Sequence, residues 1–242
     1  LRFVGAMALL FLFSNQLFSQ GQSTTQGKDF WLSYGQNYTY GPIANMLQLR
    51  IVATKATKVT LTYTQDNTTE TINVAAGQVY TRMFNQEEAA KIYSQNTGTT
   101  KKSLHIVSDE LISVFAINIY THTTDASNVL PATNYGKAYR HLTYSATSND
   151  GYTLIAVEDN TQIRENGTVV VTLNRGQVYS KYVSGGDMTG TLITSDKPFA
   201  YFTTSSCVNV PRGTGACDCL FQQQVPVRSW GNKFLVPLTK RG

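Results

Sequence analysis

The feature that most constrains this 242-residue chain is that it repeats itself. Gly27-Lys28-Asp29-Phe30 returns as Gly136-Lys137-Ala138-Tyr139 and again as Gly231-Asn232-Lys233-Phe234, at spacings of 109 and 95 residues. Leu130-Pro131 with Tyr135 matches Val225-Pro226 with Trp230, and Gly77-Gln78-Val79-Tyr80 matches Gly176-Gln177-Val178-Tyr179. Leu49 to Val59 resembles Thr153 to Ile163, and Ser108-Asp109 before Ile112 resembles Ser195-Asp196 before Phe199. Matches kept in one order along a chain mark units that fold alike. We therefore expect one unit over 27–135, a second over 136–230, and the start of a truncated third over 231–242.

The offsets between matched segments locate the insertions. They run 104, 99, 87 and 95 along the chain. The first step predicts a longer turn at Gln65 to Thr69, where the second unit has the pair Asn166-Gly167. Asn-Gly tolerates the positive φ angles of a two-residue hairpin turn, so it joins two antiparallel strands. The second step is a twelve-residue excess in the first unit between Phe84 and Ser103, within which Gln86 to Tyr93 reads as a helical turn. The third step is an eight-residue excess in the second unit that contains every cysteine, Cys207, Cys217 and Cys219.

Alternation makes the segments between these points strands. Leu47, Leu49 and Ile51 alternate with Gln48 and Arg50, and Val59, Leu61 and Tyr63 with Lys58, Thr60, Thr62 and Thr64. A period of two puts one set on a core face and the other toward solvent. Composition agrees, because the 32 Thr and 14 Tyr suit a pleated, half-buried surface. Seven such strands in each unit fit an all-β fold of tandem antiparallel β-sandwich-like repeats. The same strands could instead form two four-stranded β-propeller blades per unit.

The N-terminus reads as an address. Arg2 precedes the apolar run Phe3 to Phe13 and then Ser14-Asn15-Gln16, the order of a secretory signal peptide, so residues 1–20 are expected to be removed on export. That run is too short for a stable membrane-spanning helix, and Leu111 to Tyr120, broken by Ser113 and Asn118, reads as a strand. No transmembrane segment is expected, and the protein should be secreted or held at the cell surface. The net charge of +5 comes from scattered Lys and Arg, the tightest pair being Lys101-Lys102. Nucleic-acid binding would need a dense basic stripe, so it is not expected.

The residues offer little for catalysis. His105, His122 and His141 sit in or beside strand-like segments, and no Gly-x-Ser-x-Gly elbow positions a nucleophile. Asp109, Asp159 and Asp196 fall in turn-like contexts, where short carboxylates bond to local backbone. No Asp-x-Asp-x-Asp-Gly loop or phosphate-cradling Gly loop appears, and the cysteine cluster lacks a neighbouring His, so no cofactor or metal is expected. In an exported chain cysteines favour disulfides. Cys207–Cys217 is the preferred pair, closing a loop with Pro211, Gly213 and Gly215, and Cys207–Cys219 is the competing one. Asn37, Asn67 and Asn166 stand in Asn-x-Thr sequons.

Several of these segments resemble the IgGFc-binding protein N-terminal domain family. They are Gly27-Lys28-Asp29-Phe30-Trp31-Leu32-Ser33-Tyr34-Gly35, Glu158-Asp159-Asn160-Thr161, Thr189-Gly190-Thr191 and Ser195-Asp196-Lys197-Pro198. Cys207 with Val210-Pro211, Cys217-Asp218, and Pro226 with Trp230-Gly231 continue the pattern. The chain departs from it at Cys219, where His is expected, and at Gln222-Gln223, where an acidic residue often precedes Gln. The resemblance implies a non-catalytic extracellular recognition or adhesion module whose partner is an extracellular protein or glycan. Inserts that differ between units favour recognition over the alternative of a structural β spacer, because loops on a rigid scaffold are where binding usually sits. The Gln86–Tyr93 insert and the Cys207–Cys219 loop are the surfaces this reading singles out.

Overall fold

The computed structural model describes residues 24–38 and 47–233. The expected signal segment 1–20 and most of the segment 231–242 lie outside the described residues. The first half forms β1 (Gln26–Leu32), β2 (Gln48–Ala53), β3 (Thr57–Tyr63), β4 (Thr68–Val74), β5 (Val79–Met83), the helix α1 (Gln86–Ala90), β6 (Gly98–Thr100), β7 (Leu104–Ile119) and β8 (Thr124–Val129). The second half forms β9 (Gly136–Arg140), β10 (Asn149–Ala156), β11 (Thr161–Glu165), β12 (Thr168–Leu173), β13 (Val178–Ser184), β14 (Leu192–Val208) and β15 (Asp218–Gln223).

Each half is built around one long strand. The first part of β7 pairs with β3 on one edge and β1 on the other; its second part pairs with β2 and β8. Strand β14 does the same with β11 and β9, then with β10 and β15. Strands β4 and β5, like β12 and β13, extend these pairings, and every pair is antiparallel. Two four-stranded layers thus share a strand that bends from one to the other, which makes an all-β, sandwich-like fold. Propeller blades are excluded by the same pairing, since a blade ends at its own edges rather than handing a strand to the next layer.

The bends fall where the sequence suggested turns. Strand β7 leaves β3 at Ser108 and joins β2 at Ile112, and β14 leaves β11 at Ser195 and joins β10 at Phe199. Ser108-Asp109 and Ser195-Asp196 therefore mark kinks inside a strand, not connections between strands. Asp196 Oδ1 accepts the Gln162 N–H at 2.8 Å, holding β11 beside the kink. Pairing also corrects one alignment. Ala53 lies opposite Ile112 and Ala156 opposite Phe199, so β2 and β10 correspond at an offset of 103 and Leu49 is matched by Tyr152 rather than Thr153. The offset reaches 104 only in β3 and β11, where Val59 faces Ser108 and Ile163 faces Ser195.

Local backbone needs explain the repeated glycines. A Cβ on Gly27 would stand 2.3 Å from Pro131 Cβ, and one on Gly136 would stand 2.3 Å from Pro226 Cβ. The same close approach of strand to proline closes each unit, which is why Gly and Pro recur together. The Asn166-Gly167 pair has φ of 48° and 88°, as its two-residue hairpin demands.

The halves are not beads on a string. Strands β10 and β14 are buried on both faces over most of their length, from Asp150 to Ala156 and from Phe199 to Val208. One face of the second half builds its own core from Tyr139, Tyr152, Leu154, Ile163, Phe199 and Tyr201. The other face presents Ile155, Val178, Ala200, Phe202 and Phe221 to the core of the first half. Phe221 stacks against Tyr34 with ring centroids 5.6 Å apart, and against Phe202 at the same distance.

The twelve-residue excess of the first half adds to this contact. Asn85 and Glu88 form a reciprocal capping box that starts α1. Beyond it, Ile92, Tyr93 and Ser94 are buried, and the Ser94 carbonyl accepts the Tyr182 hydroxyl at 2.6 Å. Strand β6 then pairs with β13, Thr99 opposite Tyr179, so a strand of the first half becomes part of the second half's sheet. The Gln86–Tyr93 insert is packing material at its C-terminal end, with Glu87 exposed and Lys91 half-buried beside it, paired with Asp66 at 2.9 Å.

Candidate recognition surface

The other insertion touches the first half only at its end, where Asp218 Oδ1 accepts the Thr124 N–H at 2.8 Å, and its loop stands away from that contact. It leaves β14 after Val208 and returns into β15 at Asp218. Cys207 and Cys217 are joined by a disulfide with Cα atoms 5.3 Å apart. Between them Val210 is 59% exposed, and residues 211–216 are exposed. The loop is ordered from within and from its flank. Asn209 Nδ2 donates to the Thr214 and Ala216 carbonyls at 2.9 and 2.8 Å. Thr147 Oγ1 donates to Asn209 Oδ1, and the Arg212 guanidinium to Ser145 Oγ, each at 2.5 Å. These bonds lay the loop beside the segment 142–147, where Tyr144 is 58% and Leu142 46% exposed. Large apolar groups on a tied-down surface are what partner proteins bury.

Cys219 is the remaining thiol and lies buried. Burial, with the nearby Asp218 and Asp125 carboxylates, pushes its pKa up to about 12. It should resist alkylation at pH 8 until the protein unfolds, as mass spectrometry of iodoacetamide-treated protein would show. Replacing Cys207 and Cys217 by serine should lower stability by ~2–3 kcal/mol in a denaturant titration, by the chain-entropy reasoning for a loop this short.

The histidines are placed apart. His105 stacks on Trp31 with centroids 4.0 Å apart, its Nε2 lying 3.1 Å from Asp29 Oδ1. His122 is exposed past the end of β7. His141 is fully buried, with Nδ1 2.8 Å from the Tyr201 hydroxyl and Nε2 3.3 Å from Asp150 Oδ1. Asp150 is buried as completely and accepts three further bonds. They come from Ser205 Oγ at 3.1 Å, Thr143 Oγ1 at 2.9 Å and the Met188 N–H at 2.7 Å. Histidine, aspartate and serine thus meet, but Ser205 donates to the carboxylate rather than to the imidazole, and all three lie out of reach of substrate. A hydrolytic nucleophile needs its hydroxyl on the base and open to the scissile carbonyl. The arrangement is a bolt holding β10, β14 and the 141–143 and 188 segments together.

Sequence reasoning treated His141 as an ordinary strand histidine and missed Asp150, because Asn149-Asp150-Gly151 looks like a turn. The signal lay in the repeat. At the offsets fixed by pairing, His141 replaces Leu32 and Asp150 replaces Leu47, so two buried leucines of one half become a hydrogen-bonded histidine–aspartate pair in the other. Among the described residues, no group of three or more His, Cys, Asp or Glu side chains could hold a metal. No described helix is long and apolar enough to cross a membrane. Of the sequons, Asn67 and Asn166 stand on exposed turns, whereas Asn37 is buried and its Nδ2 donates to Asn118. Asn37 is closed to modification in the folded protein.

No curated protein matches the chain. From β8 onward the motifs noted in the sequence have a counterpart, since residues 125–242, just under half of the chain, match the family model described as IgGFc binding protein.

Proposed function

We propose that the chain is an extracellular, non-catalytic recognition module that grips a protein or glycan partner with the disulfide-closed loop Cys207–Cys217 and the adjoining Leu142–Thr147 segment. Two units spanning 27–135 and 136–230 serve as its rigid frame. The single observation behind this reading is the unequal fate of the two insertions. One is spent on joining the halves, while the other is braced by a disulfide and still exposes Val210, Tyr144 and Leu142. The family description makes an antibody Fc fragment the first partner to try, with mucosal glycoproteins and polysaccharides beside it. Export through the 1–20 signal segment fits a disulfide-bearing surface, since such bonds persist in oxidising compartments.

The test is biolayer interferometry of the folded chain against immobilised Fc, mucin and capsular polysaccharide. Tyr144→Ala and Val210→Asp should each weaken capture by tenfold or more, as truncating a central interface anchor typically does. Both positions are exposed, so melting temperature should stay unchanged. Capture that survives both substitutions would move the contact away from this loop, and absence of binding to all three targets would favour a structural spacer.

A further inference from the structure

The contact between the halves leaves a cleft of about 360 Å³ that the loop does not touch. Its lining comes from both halves: Trp31, Thr62, Thr64, Asn67, Lys101 and His105 from the first, Asp159, Arg175 and Gly176 from the second. The β10–β11 turn delivers Asp159, and the β12–β13 turn delivers Arg175 and Gly176. The Gly176 carbonyl accepts Ser103 Oγ at 2.8 Å, which pins the turn to the first half. Arg175 is then carried over Trp31, its guanidinium carbon 5.4 Å from the ring centroid. Trp31 is itself stacked on His105 and only 3% exposed, so the floor is rigid.

The charges in the cleft are unspent. Among the described residues, neither the Arg175 guanidinium nor the Lys101 ammonium forms an ion pair with a carboxylate. His105 is engaged with Asp29. Asp159 is the one carboxylate on the lining, and its Oδ1 accepts the Arg175 backbone N–H at 3.0 Å. Two cations against one carboxylate favour an anion. A bare anion would be repelled by Asp159, whereas a ligand carrying an acid group and hydroxyls would use every wall. Its acid would meet Arg175 and Lys101, and its hydroxyls would donate to Asp159 and bond with Thr62 and Asn67. Arginine suits the first task because its planar fork of donors matches a carboxylate or sulfate. Sites between packed units are also where small ligands commonly lodge.

We propose that this cleft binds the acidic sugar at the end of a glycan, with Arg175 and Lys101 holding its carboxylate or sulfate. The site is independent of the disulfide loop and exists only while the two halves are packed. In the matched turn of the first half Arg175 corresponds to Ala76, so the site occurs once rather than once per unit.

Ligand-observed NMR on the whole folded chain tests it with 3′-sialyllactose, 3′-sulfolactose and lactose as probes. Saturation transfer should appear for one or both acidic sugars and be absent for lactose. Signal for the sialylated probe alone identifies a carboxylate site, and for the sulfated probe alone a sulfate site. Arg175→Ala with Lys101→Ala should weaken binding at least tenfold, while Cys207→Ser with Cys217→Ser leaves it unchanged. Both cations are exposed, and a thermal melt of the variant checks that the fold persists. The proposal is overturned by silence of both acidic sugars, by equal binding of lactose, or by undiminished binding to the double variant. Loss of binding in the disulfide variant would overturn it too, by moving the sugar to the loop.

Discussion

Alanine at Asp150 is expected to cost ~3–5 kcal/mol of folding stability, the penalty of leaving a buried partner uncompensated. The carboxylate satisfies four groups, and removing it takes a bond from the buried His141 and Ser205, from the Met188 N–H and from the half-buried Thr143. The first half shows how the same positions are filled without charge, by Leu32 and Leu47. The double substitution His141→Leu with Asp150→Leu should therefore cost at least ~1 kcal/mol less than the two single changes added together, as contacting residues do when they couple. Urea titrations of the four proteins measure this, and strict additivity would show that the pair is not one unit. The pH dependence has a definite sign. Burial pushes the Asp150 carboxyl up, but the bond from His141, the Met188 N–H and Thr143 outweigh it, and the net shift is downward. Its contribution is whole above the ordinary aspartate value of 3.8 and fades as pH falls through the lower folded value. The wild-type protein should lose stability more steeply with acid in that range than Asp150→Ala does.

A second large effect is expected where the halves meet at their closest. A Cβ on Gly35 would stand 2.3 Å from Thr204 Oγ1 and 3.0 Å from its Cγ2. Thr204 is buried in β14, and a β-branched side chain in a strand has few rotamers to retreat into. Valine at position 35 should act as a wedge, costing ~1–3 kcal/mol or more as overpacked cores do. The damage should be local to the contact. Amide hydrogen exchange should quicken in β6 and β13, which pair across it, and remain slow in β3 and β7. If the variant melts like the parent with β6 still protected, the contact is more compliant than its geometry implies.

What could be read from the sequence was what local chemistry dictates. Glycines forced by close approach, the Asn-Gly hairpin and alternating strands recur because each unit needs them for its own backbone, so a self-comparison finds them. The disulfide was legible because two cysteines flanked a loop of turn-formers. What could not be read depends on the second half being covered twice. Ile155, Phe202 and Phe221 occupy faces that alternation assigns to solvent, and only the neighbouring half makes them core. The role of the Phe84–Ser103 excess was hidden for the same reason, since nothing local says that Gly98–Thr100 will pair 80 residues away. The cleft around Arg175 also escaped notice, because its walls come from segments that no spacing rule connects.

The β6 strand has one further consequence, for how the protein avoids sticking to itself. A long strand such as β13 at the border of a sheet would present a row of free backbone groups on which another chain could grow. Here the first part of that border, Val178 to Ser180, is covered by a strand of three residues that begins at Gly98 and runs straight into Lys101-Lys102. The new border is too short to template a foreign strand, and two adjacent ammonium groups guard the end of it. The chain's densest basic pair thus stands where a sheet would otherwise be open to aggregation.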